Sequence, residues 1–336
     1  MERILVVGVN WLGDCVMSLP VFKAIKERFP QSFLALMVVE RVKELFEDNP
    51  YVDKIIVFNE KTTHRGFFAK LKFIKYLKKE KFDTAFLIHR SFTRAFILWL
   101  VGIKKRVGFK RAKTHFILTD RITPPLNVHR SLYYYSLFEQ EGVAIEDKLP
   151  NFYIDDKERE KVDNFLLSYR RNYRYLVAIN PTANWELKRW PDNYFVELIE
   201  NLLSIGCAIF LIGAKGEKNY IDNMEKKIKG KVINLCGKTN LKELAALLSR
   251  MDLLISSDSG PAHLGSAVGI NVLVLFGPTD PLITAPLGKN VHILKKDVGC
   301  KIPCYNLNCK DNICIRELKV EEVFIKARSI LTKNEG

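Results

Sequence analysis

No stretch of the chain stays apolar for the roughly 18 residues that a membrane-spanning helix requires. Met1 leads directly into an apolar strand instead of a charged leader and a hydrophobic core. Neither a membrane span nor a signal peptide is expected, and the chain reads as cytoplasmic. The dinucleotide fingerprint is missing too. Gly8 and Gly13 bracket the first loop, but their spacing is not G-x-G-x-x-G, and Trp11 stands where a pyrophosphate would approach the backbone. A nicotinamide enzyme is thereby rejected, and no cofactor is expected. No internal repeat, low-complexity segment or nucleic-acid-binding module is recognisable, so nucleic acid is not the expected partner. Acidic residues are scarce in one window. Between Lys61 and Arg130, eighteen Lys and Arg face only Glu80, Asp83 and Asp120, and this window carries the whole net charge of +15. A basic field so one-sided calls for a negatively charged partner, such as an anionic lipid surface or a phosphorylated substrate.

What is present is a chain of 336 residues with 48% hydrophobic and 27% charged content, long for a single core. Apolar strands alternate with helices throughout, which is the pattern of an α/β protein. The run Glu141–Pro150 is polar and ends in proline, so a first domain is expected over residues 1–150 and a second over 151–336.

The chain is organised around Ser256–Pro281. An apolar run, Leu253–Ile255, ends in a polar turn; Ser259 or Gly260 caps a helix expected to begin at Pro261; a second apolar run, Val272–Phe276, breaks at Gly277-Pro278-Thr279-Asp280-Pro281. This predicts a βαβ unit with parallel, adjacent strands. Its helix N-terminus would lie at the carboxyl edge of the sheet, where an anion is favoured. His263, one turn in, reads equally as a core histidine.

Asp14 follows the first strand, Arg3–Gly8, at the start of a helix predicted over 15–29; it reads locally as an N-cap, or as an acid presented at a strand's carboxyl end. The helix predicted over 65–81 would pack Phe67, Phe68, Leu71, Ile74 and Leu77 on one side and is loaded with lysine elsewhere. Such a helix suits an anionic membrane surface as well as a sheet. Arg94, Lys110, Arg111 and Arg130 are expected at strand ends and loops, as candidate ligands for an acidic acceptor. In the second half, Thr182 and Lys188 lie after the strand Tyr175–Asn180, placed to grip a phosphate. Glu217, after the strand ending at Ile212, stands where a ribose-binding acid or a first-turn helix acid belongs.

Three motifs carry a resemblance: N-W-x-G-D at Asn10–Asp14, N-P-x-A-x-W-x-x-K-R-W-P at Asn180–Pro191, and D-S-G-P-x-H-L at Asp258–Leu264 followed by G-P-T-D-P. In this order they are similar to the family 9 glycosyltransferases, the heptosyltransferases of lipopolysaccharide inner-core synthesis. The resemblance implies a GT-B fold, two Rossmann-like doubly wound domains facing a cleft, with the acceptor site in the first and the nucleotide-sugar site in the second. It implies inverting transfer of L-glycero-D-manno-heptose from ADP-heptose to a heptosyl-Kdo2-lipid A type acceptor. It also assigns Asp14 as catalytic base, Lys188 as the cation on the donor phosphates, Glu217 as the ribose acid, and Asp258, Ser259, Gly260, Pro261 and His263 as the donor loop. An acceptor bearing carboxylates and phosphates accounts for the basic window, with peripheral contact at the cytoplasmic face of the inner membrane. The alternative is another GT-B transferase with a different nucleotide sugar or core acceptor.

Of seven cysteines, Cys300, Cys304, Cys309 and Cys314 cluster as C-x₃-C-x₄-C-x₄-C, which is no standard zinc spacing. A structural metal, disulfides and free thiols all remain open readings.

Overall fold

The computed structural model describes residues 2–333 apart from Tyr305 and Leu307. The chain divides into two units, Met1–Asn151 and Phe152–Gly336. In the first, β1 (Arg3–Val7), β2 (Phe33–Val38), β3 (Lys54–Val57), β4 (Thr84–Leu87), β5 (Lys105–Phe109) and β6 (Asp120–Ile122) form one sheet. All its pairs are parallel, in the order β3-β2-β1-β4-β5-β6. Past their leading Arg3 and Thr84 the central strands β1 and β4 are apolar, because both of their faces are buried and no position is left for an alternating polar residue. Leu5, Val6 and Val7 are fully buried, as are Leu34 to Val38.

The second unit repeats this plan. Its strands are β7 (Tyr175–Asn180), β8 (Cys207–Leu211), β9 (Ile233–Asn234), β10 (Leu253–Ser257), β11 (Val272–Phe276) and β12 (Val291–Lys295). They lie in the order β12-β11-β10-β7-β8-β9, again all parallel. Counted from each unit's own first strand, the two orders are the same, 3-2-1-4-5-6, the order of doubly wound dinucleotide folds. The strand order reverses between β1 and β4 in one unit and between β7 and β10 in the other. Those reversals are where ligands of such sheets bind, outside the strands' carboxyl ends.

The predicted βαβ unit is present, with Ile255 in register with Leu273. Its helix, Gly260–Ala267, starts one residue earlier than expected, so Pro261 is its second residue. A Cβ on Gly265 would come within 2.8 Å of the Leu254 side chain, so glycine is what lets this helix lie close against β10. The helix expected over 15–29 is two, Leu12–Met17 and Pro20–Arg28, because Pro20 has no N–H to continue the ladder. The lysine and arginine of β5 stand at the strand's first two positions, and only Val107, Gly108 and Phe109 are buried. The basic helix, Phe67–Lys79, buries Phe73, Ile74 and Leu77, while Phe67 (71%) and Phe68 (83%) are exposed. Its expected apolar face is therefore only half used by the fold.

In the second unit Trp190 is fully buried, and its Nε1–H donates to the carbonyl of Leu318 at 2.8 Å. This anchors the loop after β7 to the segment before the last helix, Val320–Lys333. Among the described residues no helix is long and apolar enough to cross a membrane.

Candidate functional site

Each unit carries a polar cluster at its strand reversal. In the first, the loop after β1 is fixed from three sides. Arg94, 2% exposed, donates from Nη1 to the carbonyl of Gly8 (3.0 Å) and from Nη2 to Oδ1 of Asn10 (2.9 Å). The Asn10 amide meets Nε2 of His89, at the exit of β4, at 2.9 Å. Arg41 donates to the Asn10 carbonyl (2.9 Å) and lies over the Trp11 ring, 4.3 Å from its centroid. Burial, with the Arg94 charge second, lowers His89 to about 4, so its imidazole is neutral and Nε2 accepts from Asn10. Arg94 is thus a positioning residue. Its guanidinium is committed to the loop and lies buried, unlike the more accessible cations expected beside it as acceptor ligands.

The fixed loop presents Asp14. Asp14 is not the N-cap; Trp11 holds that position without a side-chain bond, and Asp14 is the third residue of the helix Leu12–Met17. A carboxylate there still faces the positive end of the helix dipole. The Tyr134 hydroxyl, from the helix Arg130–Glu139, donates to Asp14 Oδ1 at 2.8 Å. Burial first, and then the Asp14 charge, push the Tyr134 phenol far above its ordinary value, so it stays a donor. Cys15, next in sequence, has its thiol pushed strongly upward by burial and donates to the Val9 carbonyl, which leaves it no role as a nucleophile. Asp14 is only partly buried and keeps access to solvent.

Beside this loop, at the ends of β4 and β5, lies a basic group. Arg111 donates to the carbonyl of Arg90, and both line a hollow with His89 and Phe109. Arg130 stands 5.7 Å from the Tyr133 ring centroid. Burial raises the Tyr133 phenol, and Arg90, Arg130 and Arg111 pull it back down, so all three guanidinia lie within electrostatic range of that hydroxyl. Lys110 is exposed at the end of β5. Of the four expected cations, the structure brings Arg111 and Arg130 together, leaves Lys110 outside, and buries Arg94 elsewhere. Arg90 takes its place.

In the second unit the centre is Asp258, 4% exposed, at the exit of β10. Its Oδ2 accepts from Nζ of Lys188 at 2.7 Å and from Oγ1 of Thr279 at 2.7 Å. Lys188 comes from the loop after β7, and Thr279 from the turn after β11. Because its carboxylate is already occupied, Asp258 is suited to holding the lysine rather than meeting an anion directly.

Asn180, the last residue of β7 and 1% exposed, donates from Nδ2 to the Thr182 carbonyl (3.1 Å), Ser256 Oγ (3.1 Å) and Ser259 Oγ (2.7 Å). Its Oδ1 accepts from the Thr182 hydroxyl at 3.0 Å. Thr182, expected to hold phosphate, therefore spends its hydroxyl proton inside the protein and shapes the loop instead. The same network turns Ser259 away from its helix. Ser259 is the N-cap residue of Gly260–Ala267, but its side chain makes no capping bond. That helix start is thus without a side-chain cap and can offer its N–H groups to an anion. His263 is buried within it.

Glu217 accepts from the Ala214 N–H at 2.7 Å through Oε2 and so closes the turn after β8. Of the residues not anticipated, Asn180 had the plainest signal, a single amide ending the run Tyr-Leu-Val-Ala-Ile. Thr279 lay inside a recognised motif. Asn10 opened another, and Tyr134 and His89 had none, since their roles depend on contacts 120 and 79 residues away.

The four clustered cysteines have free thiols, and among the described residues no group of three His, Cys, Asp or Glu is arranged to hold a metal. The Asn312 N–H donates to Cys309 Sγ at 3.4 Å, and the Cys304 N–H to the Pro278 carbonyl at 2.8 Å, which ties this loop to the turn carrying Thr279.

The sequence model of glycosyltransferase family 9 (heptosyltransferase) matches residues 70–312. Lipooligosaccharide heptosyltransferase 2 of Campylobacter jejuni is 30% identical, over 96% of this chain and 97% of that protein. The structure of Escherichia coli ADP-heptose lps heptosyltransferase II superposes with a TM-score of 0.84 at 21% identity, covering 100% of both chains. A family 9 glycosyltransferase from Veillonella parvula does so with a TM-score of 0.89 at 21% identity, covering 99% of this chain and 98% of that one.

Proposed function

The chain belongs to glycosyltransferase family 9, the heptosyltransferases, with a GT-B fold, and we propose that it transfers L-glycero-D-manno-heptose from ADP-heptose, with inversion, to the heptosyl-Kdo2-lipid A inner core. The first unit binds the acceptor and the second the nucleotide sugar. The observation that carries this reading is the Lys188–Asp258–Thr279 cluster beside the uncapped start of Gly260–Ala267. A lysine held by a buried carboxylate, beside a helix start without a side-chain cap, suits a leaving diphosphate.

In this scheme the Asp14 carboxylate takes the proton of the acceptor hydroxyl as its oxygen attacks the anomeric carbon. Attack on the face opposite the leaving group inverts that centre. Lys188 and the N–H groups of the helix start neutralise the charge that gathers on the departing ADP. Ser259, Gly260, Pro261 and His263 shape this end of the helix, Asp258 and Thr182 position it, and Glu217 meets the ribose through its second carboxylate oxygen. Arg111 and Arg130, with Arg90, receive the acidic acceptor, and Lys110, outside that group, adds only its charge. A lipid acceptor places the enzyme peripherally at the cytoplasmic face of the inner membrane.

Thermal unfolding with ADP, UDP and GDP tests the donor assignment. A ligand at about 100 times its Kd adds about 2.7 kcal/mol of stability, so ADP should raise Tm clearly and the others little. Equal stabilisation by UDP would overturn the ADP assignment.

A further inference from the structure

We propose that the helices Phe67–Lys79 and Phe92–Val101 form a docking surface for an anionic phospholipid bilayer, with the aromatic side chains entering the headgroup layer and the lysines meeting the lipid charge. This rests on the reading of the acceptor as membrane-borne and deepens it by naming the element that makes contact.

Phe92, Phe96 and Trp99 are spaced i, i+4, i+7 and therefore share one side of their helix. They are 47%, 38% and 48% exposed. The other side of the same helix, with Ala95, Ile97 and Leu98, is buried. The fold thus needs only one face of this helix, yet the outward face is aromatic. The rings lie on one another, Phe92 to Phe96 at 5.9 Å and 9°, Phe96 to Trp99 at 5.6 Å and 21°. The two helices pack together, and the second adds Phe67 and Phe68 to the exposed set. Such a concentration of apolar side chains in water is unfavourable unless something covers it.

The charge indicates what covers it. Lys72, Lys75, Lys78 and Lys79 are exposed on the helix Phe67–Lys79, and none has an acidic partner among the described residues. A second copy of the chain would bring these lysines against their own kind, so self-association through this face is repulsive. Single-stranded nucleic acid needs open aromatic faces on which bases stack. Here the three rings lie against one another with centroids 5.6 to 5.9 Å apart, too close for a base to enter between them. A bilayer carrying anionic headgroups satisfies both halves of the surface, since aromatic side chains settle at the interface and lysine is drawn to the negative leaflet.

The test is co-sedimentation with vesicles of phosphatidylcholine alone and of phosphatidylcholine mixed with phosphatidylglycerol. The wild type should bind the mixed vesicles selectively. Lys72, Lys75, Lys78 and Lys79 changed to Gln should lower partitioning by about fivefold per lysine. Phe92→Ser, Phe96→Ser and Trp99→Ser together should lower it at least about tenfold. Quenching of tryptophan emission by brominated lipid should disappear in Trp99→Phe. Circular dichroism checks that each variant is folded, and the lysine set probes the surface without touching a ring. Equal binding to neutral vesicles, unchanged binding by both variants, or a wild-type dimer that the aromatic changes dissociate would each overturn the proposal. Turnover of a deacylated, water-soluble core oligosaccharide should be unaffected in all variants. A wild type that binds mixed vesicles but never turns over that sugar would count against the assigned reaction while leaving the docking surface supported.

Discussion

Replacing Asp14 by Asn separates chemistry from architecture. The carboxylate accepts a hydrogen bond from Tyr134, and an Asn side chain presents an acceptor oxygen in the same place. The stability cost is then the difference between a charge-assisted and a neutral bond, about 1 kcal/mol. The chemical cost is larger. An amide takes up no proton, so turnover should fall by about 10²–10⁴, the usual worth of a general base. Asp14→Ala should be as inactive but less stable, because it strands the Tyr134 hydroxyl, 5% exposed, without its acceptor, at about 1–3 kcal/mol. Since Trp11 and not Asp14 is the N-cap, no capping energy is lost in either case. Asp14→Ala combined with Tyr134→Phe removes both partners and should recover most of that stability without recovering turnover. Steady-state kinetics at saturating donor and acceptor, with urea melts on the same preparations, decide the matter. An Asp14→Asn enzyme that melts normally, binds both substrates and turns over within a fewfold of wild type would refute the assignment.

Lys188→Ala should raise the donor KM by about ten- to a hundredfold and also destabilise the fold, because Asp258 is left buried without its cation; adding Asp258→Asn should restore stability but not donor use, as melts and kinetics on both variants would reveal. Arg111→Gln with Arg130→Gln should raise the acceptor KM and flatten its dependence on salt, whereas an unchanged acceptor KM would remove these residues from the site. His89 is neutral in the fold and titrates near 4, against about 6.5 unfolded, so the unfolded chain binds the extra proton between these values. Stability should therefore be full above about pH 6.5 and fall by about 2–3 kcal/mol as pH drops through 4, with His89→Gln lacking this part of the loss in paired urea melts. Asn180→Asp should be severely destabilised, since it faces a buried carboxylate toward the Thr182 carbonyl and removes both N–H donors of the amide; Asn10→Asp, which gains the Arg94 charge as partner, should melt within about 1 kcal/mol of wild type.

The legibility of this protein in its sequence follows from the range of the forces involved. β1, β2, β7, β10 and β11 could be read from a few adjacent residues, because a strand buried on both faces is a continuous apolar run, interrupted here only at strand ends by Arg3, Asn180, Ser256 and Ser257. β5 could not, since its two leading cations reach out from the strand's end while three residues do the packing. The lysine-rich helix was placed well, but its face was assigned from periodicity. Periodicity identifies which residues share a side, not whether anything lies opposite, and Phe67 and Phe68 turned out to face water. Asp14, Lys188 and Asp258 were named from motifs. The bonds that hold Arg94 and Thr182 could not be read, because charge and hydroxyl content say nothing about where a hydrogen bond is already spent.

The two units solve the same local problem with the same kind of residue. At a strand reversal, adjacent parallel strands send their chains to opposite faces of the sheet, and the carbonyls and N–H groups of the parting loops lose their neighbours. A side chain that bridges such a gap must both donate and accept, and must do so uncharged where water is scarce. Amides meet all three conditions. Asn10 joins the loop after β1 to His89 and receives Arg94; Asn180 joins the end of β7 to Ser256 and Ser259 and receives Thr182. In each unit the polar groups left over, Asp14 in one and the helix start at Gly260 in the other, are those the amide does not consume. The chemistry assigned to this enzyme begins from them. That is why each structural asparagine lies next to the reactive group of its own sheet, four residues before Asp14 in one and hydrogen-bonded to Ser259, the neighbour of Gly260, in the other.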